Sequence, residues 1–375
     1  MTAGAPGPRE PERPAPERPA PRELKFAEAL KYAREARATD LHILGGDPIR
    51  VRRARRIVAV QQAVVPASEV ARYVAAVRER DQAADDQLDR LGACNVRELD
   101  ETGASLRVHI SFESRGTRIH VRLTQERPPE FAKLNRPPNM IEWTKNDSGM
   151  IVISGPKGSG KTTALHALAN AINNEGGRSI TIIETPKEYE HPQGAGSFVE
   201  QLEVGHGRHI KSAAQGVISS MDGDRDVILI GQITSYDEAK AALAAAEKGL
   251  LVILTIHGRN TVQALEGLVG WFPIEEQERA RMLVANNLLG AVNFRLLTKV
   301  GGGDFPISEV LAGDDQVRNL LRGGKFDDIR QRHMETARAR GTKTLEAALM
   351  EAVKKGDINI NDARRTAVYP DQVQQ

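Results

Sequence analysis

Residues Gly155-Pro-Lys-Gly-Ser-Gly-Lys-Thr162 restrict what this chain can fold into more than any other stretch. Their G-x-x-x-x-G-K-T pattern follows a short apolar run, 150–153, that reads as a buried strand. It precedes Leu165, Leu168, Ala169 and Ile172, spaced along one face of a helix. Strand, glycine-rich turn and helix together make a phosphate-binding loop. The glycines let the backbone turn tightly, so that successive N–H groups converge on an anion. The helix opening near Lys161 adds the positive end of its dipole. Lys161 reaches the outer phosphates, and the Thr162 hydroxyl is placed to ligate Mg²⁺. The expected contacts of a nucleoside triphosphate are therefore Gly155, Pro156, Lys157, Gly158, Ser159, Gly160, Lys161, Thr162 and Thr163, with Mg²⁺ on Thr162.

Composition narrows the partners. The 375 residues suffice for two domains with separate cores. Basic and acidic residues nearly cancel, at 52 against 50, so overall charge does not argue for nucleic acid. A single cysteine, Cys94, excludes a disulfide framework and a cysteine-based zinc site. The histidines show no metal-ligand spacing. No apolar run has the length of a membrane span, and the Pro/Arg/Glu-rich N-terminus is unlike a signal peptide. These features point to a cytoplasmic protein, at most peripheral to a membrane.

Residues 1–22 alternate proline with charge and read as a disordered tail. Residues 24–36 suggest a helix, 40–44 a strand, and 49–60 a strand or hairpin after the turn 45–48. That hairpin carries Arg50, Arg52, Arg53, Arg55 and Arg56, which suit either an acidic partner or a solvated surface, and the solvated surface is the simpler account. A helical region 66–91 and an antiparallel hairpin 106–123, turning at 114–116, complete a small α+β domain over 23–126. The proline-bearing stretch 127–140 is the natural linker to a larger domain over 141–375. There strands and helices alternate as in a nucleotide-binding α/β core. Strand 179–183 ends on Glu184, strand 226–230 on Gly231-Gln232, and strand 250–256 on His257. Open parallel sheets bind ligands outside the carboxyl ends of their strands. Four strand ends thus deliver Lys161/Thr162, Glu184, Gln232 and His257 to one edge. A hairpin, 293–310, and a helical C-terminal part follow, with Leu345, Ala348, Leu349 and Ala352 on one face.

Taken together, these residues resemble the PilT-like pilus-retraction members of the type II/type IV secretion ATPase superfamily, over nearly the whole chain after the tail. Asp40-Leu-His-Ile resembles the opening of the family's PAS-like domain, and 155–163 its Walker A motif. Ile183-Glu-Thr-Pro-Lys-Glu-Tyr189 resembles the Asp box I-E-D-P-x-E-Y, and Gln201-Leu-Glu-Val-Gly205 resembles Q-R-E-V-G. Asp226-Val-Ile-Leu-Ile-Gly231 is similar to the Walker B strand and Leu254-Thr-Ile-His257 to the His box. The resemblance implies a RecA-like P-loop core with a smaller N-terminal PAS-like α+β domain and a helical C-terminal part. It also implies ATP with Mg²⁺, and a ring, usually a homo-hexamer, with nucleotide bound between the two domains. N-terminal arginines would face the phosphates, with Arg107 and Arg115 the candidates. The implied work is pilus retraction through an inner-membrane platform protein, at the inner face of the inner membrane.

Several departures fall where the chemistry happens. Gln232 stands at the family's Walker B glutamate, and Thr234 and Ser235 replace an Arg-Asp pair. Thr185 replaces the Asp of the Asp box, Leu202 the Arg of Q-R-E-V-G, and Leu250 an earlier histidine. A carboxylate can order the attacking water and accept its proton, whereas an amide can only orient it. Glu184 is then the best remaining acid to polarise water, and His257 the γ-phosphate sensor. Two readings follow: a motor ATPase of pilus retraction, twitching motility or related secretion, or a weakly hydrolysing regulatory subunit beside an active paralogue. A nucleic-acid translocase, suggested only by the 50–56 arginines, is disfavoured because no stacking aromatics accompany them.

Overall fold

The computed structural model describes residues 21–36, 38–53, 56–101, 105–123, 127–185, 187–194, 196–205, 209–333 and 341–374. Nearly all of the expected tail, and Arg55 of the arginine cluster, lie outside the described residues. The chain divides into two compact units, 1–124 and 125–375.

The first unit begins with β1 (Arg22–Glu23), α1 (Phe26–Glu35), β2 (Asp40–Leu44), β3 (Pro48–Arg53) and β4 (Arg56–Val64). It continues with α2 (Ala67–Arg80), α3 (Gln82–Leu91), β5 (Ala93–Leu99), β6 (Ser105–Glu113) and β7 (Gly116–Leu123). The sheet order is β1-β4-β3-β2-β7-β6-β5. Alternation drives one face inward: Leu41, Ile43, Val51, Val108, Ile110, Ile119 and Val121 pack with Ala29, Leu30, Val70 and Val77 of the helices. The helical region 66–91 breaks at Asp81, whose carboxylate accepts from Ala84 N at 3.0 Å and starts the second helix.

The second unit contains α4 (Asn139–Thr144), β8 (Gly149–Ser154), α5 (Lys161–Glu175), β9 (Ser179–Glu184), β10 (Phe198–Glu203) and α6 (Ala213–Asp222). Next come β11 (Val227–Ile230), α7 (Tyr236–Glu247), β12 (Leu251–Ile256), α8 (Thr261–Gly270), α9 (Ile274–Asn287), β13 (Leu288–Thr298) and β14 (Asp304–Ala312). The strand order β10-β9-β11-β12-β8-β13-β14 is parallel throughout except for β14. Both faces are covered, which is why its central strands are continuous apolar runs. Ile151, Ile153, Ile180 and Ile182 face Leu165, Leu168 and Ile172 of α5. Met150, Val152, Ile228 and Ile230 face Val217, Leu243, Leu265 and Val284 on the other side.

The stretch expected as a linker folds onto this unit. Phe131–Leu134 forms a 3₁₀ turn and α4 follows, with Phe131 and Met140 buried in the α5 cluster. Apolar side chains of this size each gain roughly 1.5–3 kcal/mol by leaving water, so the segment does not stay extended. The C-terminal helix Leu345–Lys354 buries Leu345, Ala348, Leu349 and Ala352 against Leu297 and Ile307, as its spacing predicts.

Candidate functional site

The phosphate loop sits between β8 and α5. Its three glycines all have positive φ: +145° at Gly155, +76° at Gly158 and +89° at Gly160. A Cβ on Gly155 would stand 2.6 Å from Phe294 O and from Ser159 Oγ, so only glycine fits there. Lys161 opens α5 and is 8% exposed. Its Nζ donates to the carbonyls of Gly155 at 3.0 Å and Pro156 at 3.1 Å. Ser159 is buried, Thr162 and Thr163 are half-buried on the first helical turn, and Pro156, Lys157 and Gly158 are exposed.

The electrostatics favour an anion. Burial first, and then the Arg295 guanidinium, lower the Lys161 pKa below its ordinary value. Burial lowers the Arg295 pKa as well and brings that of Arg136 down to about 10. Groups whose charged forms are disfavoured in this way gain from an incoming phosphate. The residues present therefore fit a nucleoside phosphate, with the Thr162 hydroxyl available to its Mg²⁺.

Strand register places the other expected residues. Thr255 lies opposite Ile153 and Ile256 opposite Ser154. Ile230 lies opposite both Leu254 and Ile183. One row across the sheet is therefore Glu184, Gly231, Thr255 and Ile153, and beyond it Ile256 pairs with Ser154 while Thr185 and Gln232 lie past the paired ends of β9 and β11. Gln232 and His257 are exposed at this carboxyl edge, with His257 ending the strand beside that of the loop. All four strand ends open on the same edge, as the sequence pattern implies. Thr234 and Ser235 serve the next helix: Ser235 Oγ caps α7, and Glu238 Oε2 accepts from Thr234 N at 2.6 Å.

Glu184, expected above as the acid that polarises water, is buried within a hydrogen-bonded network. It is 4% exposed, and its carboxylate accepts from Glu188 N at 3.0 Å and Gln201 Nε2 at 3.3 Å. His166 Nε2 lies 3.0 Å from Oε2, and His166 Nδ1 lies 2.9 Å from His191 Nε2. Burial, then His166 and Lys187, push the His191 pKa down to about 3, so this ring is neutral. A neutral His191 protonated on Nε2 donates to His166 Nδ1 and leaves only a lone pair on its own buried Nδ1. His166 then carries its proton on Nε2 and donates it to Glu184. Gln201 also donates to Tyr189 O at 2.9 Å and accepts from His191 N at 3.0 Å. Glu184 thus ties the phosphate-loop helix to β9, β10 and the loop between them.

Sequence reasoning missed His166, which looks like one more core position on α5. It also missed a buried amide. Asn293 Nδ2 donates to Ser154 Oγ at 2.8 Å and to Gly258 O at 3.0 Å, joining the strand before the loop to the turn after His257. The signal available was a polar residue inside an apolar strand. Farther along, Thr261 Oγ1 donates to the fully buried Glu309 at 2.9 Å.

Arg107 and Arg115 belong to the first unit. Arg107 on β6 lies in register with Arg122 and Arg97 on the neighbouring strands. Arg115, exposed in the β6–β7 turn, is 3.6 Å from Asp47 and 3.7 Å from Glu113. Of the 50–56 arginines, Arg50 is 3.8 Å from Asp47 and Arg52 3.5 Å from Asp40. Among the described residues no group of three or more His, Cys, Asp or Glu could hold a metal ion, and no helix is long and apolar enough to cross a membrane.

Comparison with known proteins agrees with this geometry. Residues 18–299 match the type II/IV secretion system protein family. A twitching motility protein of Neisseria gonorrhoeae is 32% identical over 70% of this chain and 70% of its own length. The type IV pilus retraction ATPase PilT of Pseudomonas aeruginosa is 32% identical over 60% of this chain and 64% of its own. The solved structure of the pilus retraction motor PilT with bound ADP superposes with a TM-score of 0.82 at 28% identity, covering 93% of this chain and 98% of that one. The chain belongs to the type II/IV secretion system protein family and is homologous to its pilus-retraction and secretion ATPases.

Proposed function

We propose that this chain is a motor ATPase of the pilus-retraction type, in which ATP binding and hydrolysis move its two units relative to each other. The observation that carries this reading is the parallel-sheet edge. There a glycine loop with a buried lysine follows β8, and the ends of β12, β11 and β9, leading to His257, Gln232 and Glu184, lie in turn along the same edge. Lys161 and the loop N–H groups hold the phosphates. Thr162 would hold Mg²⁺, which would supply charge to offset that of the phosphate oxygens. Gln232, exposed at the end of β11, orients the attacking water through its amide. Glu184 acts through the hydrogen-bonded network that fixes α5, and His257 reads the γ-phosphate from the neighbouring strand. Arg107 and Arg115 are the first unit's candidates for stabilising charge on the transferred group. The working form is a homo-hexamer at the inner face of the inner membrane, acting on a pilus platform protein.

Phosphate release by the purified protein tests this. Turnover with Mg·ATP that disappears in Lys161→Ala supports the motor. Gln232→Glu restores a proton acceptor and should raise the rate several-fold, since general-base contributions reach ~10²–10⁴. Tight Mg·ATP binding with turnover only in Gln232→Glu would replace the motor with a regulatory subunit. No binding heat at all would defeat both.

A further inference from the structure

Arg136 has no part in the catalytic steps proposed above, yet it lies against the phosphate loop. Its placement is built locally. Phe131 anchors the preceding 3₁₀ turn in the α5 cluster, and Asn135 takes a left-handed φ of +49° that turns the chain. Pro137 and Pro138 then fix the exit. The Arg136 guanidinium lies 3.9 Å from the centroid of the Phe294 ring, and its Nη2 donates to Ser159 O at 3.1 Å. A Cβ on Gly160 would collide with that same Nη2. Nε and Nη1 are buried without a hydrogen-bond partner, and Arg136 forms no ion pair among the described residues.

The geometry matters because of how an anion loop works. When successive N–H groups converge on a phosphate, the carbonyls between them are left on the outer side. Free to rotate, those peptides would scatter the N–H directions. Phe294 packs behind Gly155, with its carbonyl 2.6 Å from the position a Cβ would take there, and Arg136 covers the far end at Ser159–Gly160. The loop is thereby held at both ends.

We propose that Arg136 is a positioning residue for nucleotide binding, bracing the outer side of the phosphate loop through the Ser159 carbonyl so that the loop stays in its anion-accepting form. This rests on the reading of the site as a nucleotide site. Its action is indirect: apparent affinity scales with the fraction of molecules whose loop is competent. Loss of one charge-assisted hydrogen bond to a buried carbonyl corresponds to roughly a tenfold fall in that fraction.

Full-length wild type, Arg136→Met, Arg136→Lys and Lys161→Ala would be titrated with Mg·ATP by calorimetry, and each melted without nucleotide. Arg136→Met keeps an unbranched stem against Phe294 and removes every donor. Its Kd should rise roughly tenfold, KM should rise with it, and kcat should change less than twofold. Arg136→Lys, which retains a charged donor on a slightly shorter stem, should recover part of the affinity even if the Met variant folds poorly. A lower melting temperature with wild-type Kd in Arg136→Met would make Arg136 structural only and overturn the proposal. So would an Arg136→Lys Kd no better than that of Arg136→Met. Wild type that binds no Mg·ATP, like Lys161→Ala, would instead remove the nucleotide site itself and the inference with it.

Discussion

Replacing Glu309 by glutamine should destabilise the second unit in acid and stabilise it in base. Glu309 lies on β14 at 1% exposure. Oε1 accepts from Thr261, while Oε2 has no partner. Burial raises its pKa from 4.5 to about 7, opposed by the Thr261 hydrogen bond and Arg330, and reinforced by Glu346. Between those two values the folded chain keeps a proton that the unfolded chain has released. Stability therefore falls as pH rises through that window, and above the upper value the whole penalty is present. Each pKa unit is worth about 1.4 kcal/mol, so the penalty approaches about 3 kcal/mol at pH 8. Glutamine keeps the shape and the acceptor for Thr261 but leaves an amide donor unsatisfied at about 1 kcal/mol. The expected result is a variant about 2 kcal/mol more stable than wild type at pH 8 and about 1 kcal/mol less stable at pH 4.5. Both tryptophans, Trp143 and Trp271, belong to the second unit, so urea unfolding followed by their fluorescence reports on it alone. A difference of the same sign and size at both pH values would refute the reasoning, because only a titrating group can change it.

Two further substitutions probe the packing around the loop. Glu184→Ala strands the donors of His166, Glu188 and Gln201 in a buried place and should cost about 3–5 kcal/mol in the same assay. A loss below about 1 kcal/mol would show that the network does not hold α5 to its neighbours. Gly290→Ala would drive a methyl group into the Trp143 indole. It should cost about 1–3 kcal/mol and shift the tryptophan emission, and an unchanged spectrum would contradict the close approach of α4 to β13.

What was legible in the sequence is what is local. The phosphate loop can be read because its glycines, lysine and threonine act within one turn and the first turn of α5. The strands β8, β11 and β12 can be read because burial on both faces makes them unbroken apolar runs. The β10 strand, Phe198-Val-Glu-Gln-Leu-Glu203, could not be read that way. It is an edge strand carrying polar residues, defined by its pairing with β9. The β5 strand likewise owes its existence to β6. Side-chain partners were harder still. Asn293 meets Ser154 across 139 positions, and Glu184 meets His166 and Gln201 at 18 and 17 positions. Spacing says nothing about such pairs until the sheet order is known.

That distinction bears on what the site can do. The groups proposed to hold an anion are doubly determined: by the motif, and by a fold that buries Lys161 and Arg295 near one another with their charged forms disfavoured. The groups that would accept a proton are less securely provided. Glu184 already accepts two donors and sits 3.0 Å from a third, inside the protein. The residues that follow these strand ends toward solvent, Thr185, Gln232 and His257, include no carboxylate. Under the proposed function, binding therefore follows from residues whose positions reinforce one another, whereas ordering of the attacking water rests on an amide just past the end of β11. A single substitution there should move the rate while leaving Mg·ATP affinity within about twofold, because Gln232 belongs to none of the hydrogen bonds that shape the loop.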